Sequence, residues 1–301
     1  MNNLLLLILC FAIGMLLRRI RRMPDNAPAT LNSFIIHVSL PALTLLYIHG
    51  LKLSGEVLLV GAMAWIYFGL AAGFFWAIGR WLRLSRATTG ALVLTGGLGN
   101  TSFFGLPMIE VYYGHAGLST GIVVDQLGTF LVLSTLGIAV AGLYSSGRPT
   151  AGEIVKRIAL FPPFLSLLAA LVLLPVEYAP WFTALLKRLG DTLAPLALLS
   201  VGLQLRLGHI AEHKRDLAIG LGFKLLLAPL VIYALYVGML GARGQAMQVT
   251  LFEAAMPPMI TAAIIASEHE LDPDLCNLMV AVGLLLSFIT LGGWHWILQG
   301  V

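Results

Sequence analysis

Apolar residues fall along this chain in long runs, and each run ends in a short stretch of arginine, glycine, proline or mixed polar residues. A helix needs about 20 mostly apolar residues to cross the hydrocarbon of a bilayer, and the runs come close to that length. Read against their punctuation, they predict ten spans: 2–17, 27–48, 56–79, 87–113, 117–143, 158–175, 181–205, 217–240, 245–267 and 275–298. The chain therefore reads as an all-α integral membrane protein whose first partner is the lipid bilayer.

Composition removes the soluble alternative. Hydrophobic residues make up 59% of the 301 and charged residues 11%, whereas a soluble domain carries about a quarter charged residues. Mean hydropathy is +0.92. The net charge of +4 does not indicate nucleic acid, because the basic residues are scattered in short clusters between apolar runs. They read as topology instead. Arg18, Arg19, Arg21, Arg22, Arg80, Arg83, Arg86, Arg148, Lys156, Arg157, Arg206, Lys214 and Arg215 follow spans 1, 3, 5 and 7, while the opposite side holds Lys52, Lys187, Arg188 and Arg243. The positive-inside rule then puts both termini outside. The first run differs from a signal peptide in that its arginines follow the apolar stretch, so it is expected to remain in the mature protein. Cys10 and Cys276 lack metal-ligand spacing and read as packing residues; no metal site and no cofactor is expected.

Ten spans make five per half, and a duplicated half with an odd number of spans must sit upside down. Proline-centred punctuation does recur in register. Pro41 in Ser39-Leu40-Pro41-Ala42-Leu43 and Pro195 in Leu193-Ala194-Pro195-Leu196-Ala197 are 154 apart, and Pro107 and Pro257 are 150 apart. The expected architecture is two inverted five-helix repeats, residues 1–143 and 158–301, joined by a cytoplasmic loop at 144–157.

Spans 4 and 9 carry the chemistry. Gly96-Gly97-Leu98-Gly99-Asn100-Thr101-Ser102-Phe103-Phe104-Gly105-Leu106-Pro107 cannot easily stay one helix, since each glycine costs about 1 kcal/mol and proline lacks a donor. Pro257-Pro258 should break span 9 and free the carbonyls of Glu253 and Ala254. Irregular backbone at membrane depth is tolerated only inside protein or along a watery cavity, and paired interruptions in matching halves mark transport sites. The half-helices after the breaks would offer free amides and a positive dipole end to an anion. Asn100, Thr101 and Ser102 add three polar side chains suited to a carboxylate. Ionisable groups inside spans are functional candidates by default. Asp125, beside Gln126, and Glu253 are candidate proton or cation sites. Lys224 either balances such a charge or snorkels to the cytoplasmic surface. His37 reads as a structural hydrogen bonder and Asp191 as a local partner of Lys187 and Arg188.

Three stretches carry a resemblance: Gly99-Asn100-Thr101-Ser102-Phe103-Phe104-Gly105-Leu106-Pro107, Pro195-Leu196-Ala197-Leu198-Leu199-Ser200-Val201-Gly202, and Met256-Pro257 followed by Glu268-His269-Glu270-Leu271-Asp272-Pro273. In these the chain resembles the auxin efflux carrier family, within the bile acid, arsenite and riboflavin transporter superfamily. The resemblance implies ten helices in inverted repeats with crossed broken helices 4 and 9, and a scaffold against which a transport domain moves like an elevator. It implies a bacterial inner-membrane carrier of small organic acid anions, such as malonate, malate or auxin-like acids, with proton or sodium coupling and a homodimer as further expectations. Carried over by residue, the crossing maps to Pro107 and Pro257 and the polar ligand to Asn100, and the transfer goes no further; Thr101, Ser102, Met256 and Pro258 are candidate substrate-binding residues by their place beside these. Pro258 departs from the family's commoner single proline, and the long central loop of plant members is absent. The rival readings are a sodium-coupled bile-acid-type or other anion carrier, and a channel or sensor on the same architecture. No His-Glu-x-x-His or Gly-x-Ser-x-Gly motif supports an intramembrane enzyme.

Overall fold

A computed structural model describes residues 2–20, 23–49, 55–145, 159–204 and 210–301, together with Gly152, with side chains from Ile8 onward. Among these residues the protein is helical, with no strand beyond one isolated bridge between Gly99 and Pro258. Thirteen helical segments follow in order: α1 Asn2–Arg19, α2 Ala27–Ile48, α3 Gly55–Trp81, α4 Arg86–Gly97, α5 Leu106–Tyr113, α6 His115–Tyr144, α7 Pro162–Val172, α8 Pro180–Gly190, α9 Leu193–Gln204, α10 Lys214–Met239, α11 Gln245–Ala254, α12 Ile260–Glu268 and α13 Pro273–Leu298. Five of them, α2, α3, α6, α10 and α13, are long and apolar enough to cross a membrane on their own. Arg21, Arg22, Lys52, Arg148, Lys156, Arg157, Arg206 and most of the expected 144–157 loop lie outside the described residues.

The ends of the helices have local causes. Ser85 caps α4, its hydroxyl accepting from the Thr88 amide at 3.0 Å. Asp272 caps α13 from the left-handed region (φ 46°) and also accepts from Thr88 Oγ1 at 2.8 Å, which ties the two helix starts together. Gly114, at φ 67°, turns α5 into α6 where a side chain would be strained. The stretch expected as one helix over 181–205 is two, α8 and α9. Thr192 Oγ1 donates to the Leu189 carbonyl and pairs with Ser39 Oγ of α2, which holds the interruption at Asp191–Thr192.

The helices pack as two groups. One contains α1, α2, α7, α8 and α9; the other contains α3 to α6 and α10 to α13. In the first, α1 and α9 cross so closely at Gly14 and Gly202 that a Cβ on either would stand 3.0 Å from the other's Cα. Small residues that let backbones approach are the usual means of association where lipid supplies no hydrophobic drive. In the second group, Tyr236 Oη donates to the Leu59 carbonyl at 2.7 Å and Trp294 Nε1 to the Leu225 carbonyl at 2.9 Å, so its long helices are also bonded side to backbone. The outer surface is apolar, with Leu58, Val172, Met239 and Ile289 exposed, while Trp81, Trp181 and Trp296 stand exposed near helix ends as interfacial anchors do.

Candidate functional site

The two backbone breaks meet. After α4 the chain extends through Leu98, Gly99 and Asn100, and after α11 it turns and extends through Pro257, Pro258 and Met259. The Asn100 amide donates to the Pro257 carbonyl at 2.8 Å, and the Met259 amide to the Leu98 carbonyl at 3.0 Å. Each broken strand thus satisfies the other, as buried backbone in a lipid setting requires. The pairing uses the carbonyl of Pro257 and the amide of Met259 because the prolines have no donors of their own. Gly99 leaves room for Lys224: a Cβ there would lie 3.3 Å from its Nζ, a tight contact that the ammonium end would have to ease.

Two expectations change here. The crossing lies at Leu98–Asn100 against Pro257–Met259, so Pro107 is not at it; it sits buried in the first turn of α5, beyond a π-helical turn at Thr101–Gly105. The Glu253 carbonyl is also not orphaned, since the Ala255 and Met256 amides close on the Phe252 and Glu253 carbonyls, both at 3.1 Å.

Asn100 is 2% exposed. Its carbonyl accepts from the Gly105 amide at 2.9 Å, while its side-chain Nδ2 has no partner. Thr101 and Ser102 do not present free hydroxyls beside it. Both donate to Asp125 Oδ1, at 2.6 and 2.5 Å, so they hold a carboxylate of the protein's own. Gln126, next to Asp125 on a π-helical turn of α6, donates to Thr44 of α2 at 2.6 Å and leaves its Oε1 unpartnered. The wide π turns at Thr101–Gly105, Val124–Thr129 and Phe223–Leu227 carry Thr101, Ser102, Asp125, Gln126 and Lys224, and such turns recur at functional sites.

Lys224 does not snorkel. It is 1% exposed, its Nζ 3.1 Å from Tyr67 Oη and 4.1 Å from the centre of the Tyr67 ring, while Tyr67 Oη donates to the Lys224 carbonyl. Glu253 is equally buried and neither carboxyl oxygen has a partner. It occupies room made by glycines: a Cβ on Gly105 would lie 2.6 Å from Glu253 Oε2, and one on Gly121 3.5 Å from Oε1. Lys224, Glu253, Tyr67 and Thr101 border a cavity of about 10 Å³. Met256 and Pro258 are buried at the crossing, Pro258 against Gly283 of α13. His37 lies apart on an exposed face, bonded to the Ser33 carbonyl at 2.8 Å, and Asp191 pairs with Lys187 at 2.9 Å.

A much larger cavity, about 1160 Å³, opens between the two helix groups. Arg18, Asp25 and Gln204 line it from one group and Ile260, Glu268 and Asn277 from the other, and Ile260 is the residue directly after Met259 of the crossing. The groups also touch where the end of α2 meets the start of α6: Tyr47 Oη and His115 Nδ1 share a hydrogen bond of 3.0 Å, with Glu110 Oε1 3.8 Å from that nitrogen. Sequence reasoning missed Tyr67, Thr44, Tyr47, His115 and the role of Gly105 and Gly121. Each gains its meaning from a residue far away in the chain, and no local pattern marks it.

Comparison with known proteins finds similarity to membrane transport proteins. The family described as "Membrane transport protein" matches residues 1–149 and 148–295. A Methanothermobacter thermautotrophicus protein called an uncharacterized transporter is 28% identical over 95% of this chain and 94% of its own length. A Rhizobium meliloti protein provisionally named a malonate transporter is 23% identical over 95% of this chain and 92% of its own. The uncharacterized transporter YfdV of Escherichia coli is 23% identical over 98% and 96%.

Proposed function

The chain belongs to the membrane transport protein family, and we propose that it is a secondary active carrier of small organic acid anions that works by elevator-like alternating access. It is a transport protein and not an enzyme. The observation that carries the anion reading is the crossing: a buried Asn100 Nδ2 without a partner stands where two broken helices meet, and Ile260, the residue after Met259 of that crossing, lines a cavity of about 1160 Å³. A carboxylate leaving water must find replacement donors, and Asn100 with the amides that open the following half-helix supplies them. Thr101 and Ser102 act through Asp125, while Met256, Pro257 and Pro258 form the wall opposite and Pro107 sets the start of α5.

In this reading ten spans form two inverted repeats, 1–143 and 158–301, about the loop at 144–157. The scaffold is the group of α1, α2 and α7 to α9. The remaining helices are the moving group, and they carry Asn100, Asp125, Lys224 and Glu253 together. Asp125 and Glu253 outnumber the single cation Lys224, which supports co-movement of a proton or sodium ion with the cargo. The protein sits in the bacterial inner membrane with both termini outside, so the cavity beside Arg18 faces the cytoplasm, and a homodimer is its proposed assembly.

The name of the Rhizobium meliloti relative makes malonate the first probe. Purified protein should be stabilised by malonate or a related carboxylate in a thermal-unfolding screen, by about 2.7 kcal/mol at a hundredfold excess over Kd. Reconstituted protein should show saturable malonate counterflow, which a channel does not. A screen in which no organic anion raises the melting temperature would overturn the anion reading. Orientation is tested separately: a cysteine placed at Arg215 should resist an impermeant reagent added outside intact cells.

A further inference from the structure

We infer that Glu253 carries one exchangeable proton, taken up and released once per transport cycle; the inference rests on the carrier reading above and names its coupling ion. The case begins with the three ionisable side chains buried around the crossing. Asp125 receives two hydroxyl donors, from Thr101 and Ser102, and is therefore equipped to remain a carboxylate. Lys224 has the Tyr67 hydroxyl and the face of its ring, which suit an ammonium. One cation balances one anion. Glu253 is left over, with no donor on either oxygen, and a buried carboxylate without donors is the costliest state such a group can adopt. With a proton it is neutral, and the set of three balances.

The surroundings favour a proton over a metal cation. Glu253 is faced by Asp125 from α6, by Lys224 from α10 and by the Lys224-bound Tyr67 from α3. Gly105 and Gly121 offer it only backbone. Arg86 is the first residue of α4 and Glu268 the last of α12, while His295 of α13 lies against Phe252, Tyr112 and Tyr113. A sodium ion needs several oxygen ligands around it, and an ammonium on Lys224 repels one at this place. The adjoining cavity of about 10 Å³ has room for about one water. When the moving group shifts and water reaches that space, the Glu253 O–H bond breaks, the proton passes to the water, and the carboxylate formed is held by the neighbouring Lys224 charge. Return to the dry arrangement reverses the transfer.

Infrared difference spectra of the purified protein between acid and alkaline pH test this without any substrate. The parent should show a carboxylic C=O stretch, characteristic of a protonated and weakly bonded carboxyl, that disappears on alkalinisation. Glu253→Gln should lack the band, Asp125→Asn should keep it, and Gly105→Ala, whose methyl would press on Glu253 Oε2, should shift its frequency. Persistence of the band in a folded Glu253→Gln protein, or absence of any titrating band in the parent, overturns the inference. In vesicles, a pH difference should drive malonate movement by the parent without sodium and fail to do so for Glu253→Gln; movement that requires sodium overturns the inference as well. Failure of malonate to move at all would count against the cargo, and the infrared band would still decide the proton.

Discussion

Replacing Asn100 with alanine separates the backbone role of that position from its side-chain role. The hydrogen bonds at that position are main-chain, from the Asn100 amide to the Pro257 carbonyl across the breaks and from the Gly105 amide to the Asn100 carbonyl within its own π turn, so alanine retains both. The Nδ2 group that is lost has no partner in this state. Removing an unsatisfied buried donor is close to neutral for folding, and the melting temperature of Asn100→Ala without ligand should stay near the parent's. Binding should behave differently. A hydrogen bond to a charged group contributes about 1.5–3 kcal/mol, which corresponds to a roughly tenfold to hundredfold weaker Kd. The assay is calorimetric titration with malonate, or with whichever carboxylate the thermal screen identifies, on parent and variant side by side. Asn100→Asp sharpens the comparison, because it replaces a donor with a like charge and should abolish binding of a carboxylate. Equal affinity in a well-folded Asn100→Ala protein would refute the reasoning and leave Asn100 as a backbone hinge only.

Three further outcomes follow from other parts of the molecule. Lys224→Met removes the one cation from the buried set and should lower stability by about 3–5 kcal/mol, seen as a loss of melting temperature, with Asp125→Asn in the same chain recovering part of it; no loss would show that the charges are not balanced against each other. Tyr47→Cys with His115→Cys, joined by a short bifunctional reagent, should stop exchange, and cleavage of the link should restore it; exchange that continues when linked would show that the groups do not separate there. Gly202→Val places a branched carbon against the Phe11 carbonyl and the Gly14 Cα, so folded yield and melting temperature should fall by the equivalent of about 1–3 kcal/mol, and an unchanged protein would contradict the close crossing of α1 and α9.

The helical segments and the two breaks were legible in the sequence because the bilayer restricts what a chain can do: apolar runs of limited length must be helices, and Gly96-Gly97-x-Gly99 or Pro257-Pro258 within one must interrupt it. The register of the crossing was not legible. Aligned prolines suggested Pro107 opposite Pro257, yet the pairing uses Leu98 and Asn100, because it depends on which amides and carbonyls remain unpaired and face each other, and the letters alone do not state this. Lys224 shows the same limit. Its distance from the cytoplasmic end allowed snorkelling, but the π turn at Phe223–Leu227 holds it beside Tyr67, 157 positions away in the chain. Thr101 and Ser102 were recognised as polar and central, but their partner Asp125 lies on another helix and could not be read from spacing.

The distribution of hydrogen bonds also indicates where the molecule would move. At the crossing, separating Leu98 and Asn100 from Met259 and Pro257 would orphan buried backbone groups, each costing about 1–3 kcal/mol in a place without water. Between the two helix groups the situation is reversed. Among the described residues two side-chain hydrogen bonds join them, Gln126 to Thr44 and Tyr47 to His115, and much of the remaining contact is apolar, as in Phe11 against Phe288 and Phe130 against Phe161. Apolar surfaces that slide past one another exchange one set of dispersion contacts for another, and the two polar bonds contribute about 1 kcal/mol each. Motion that keeps the crossing intact and shifts one group along the other is therefore cheaper than motion that opens the crossing. Asn100, Asp125, Lys224 and Glu253 all belong to one group, so that motion would carry them as a unit.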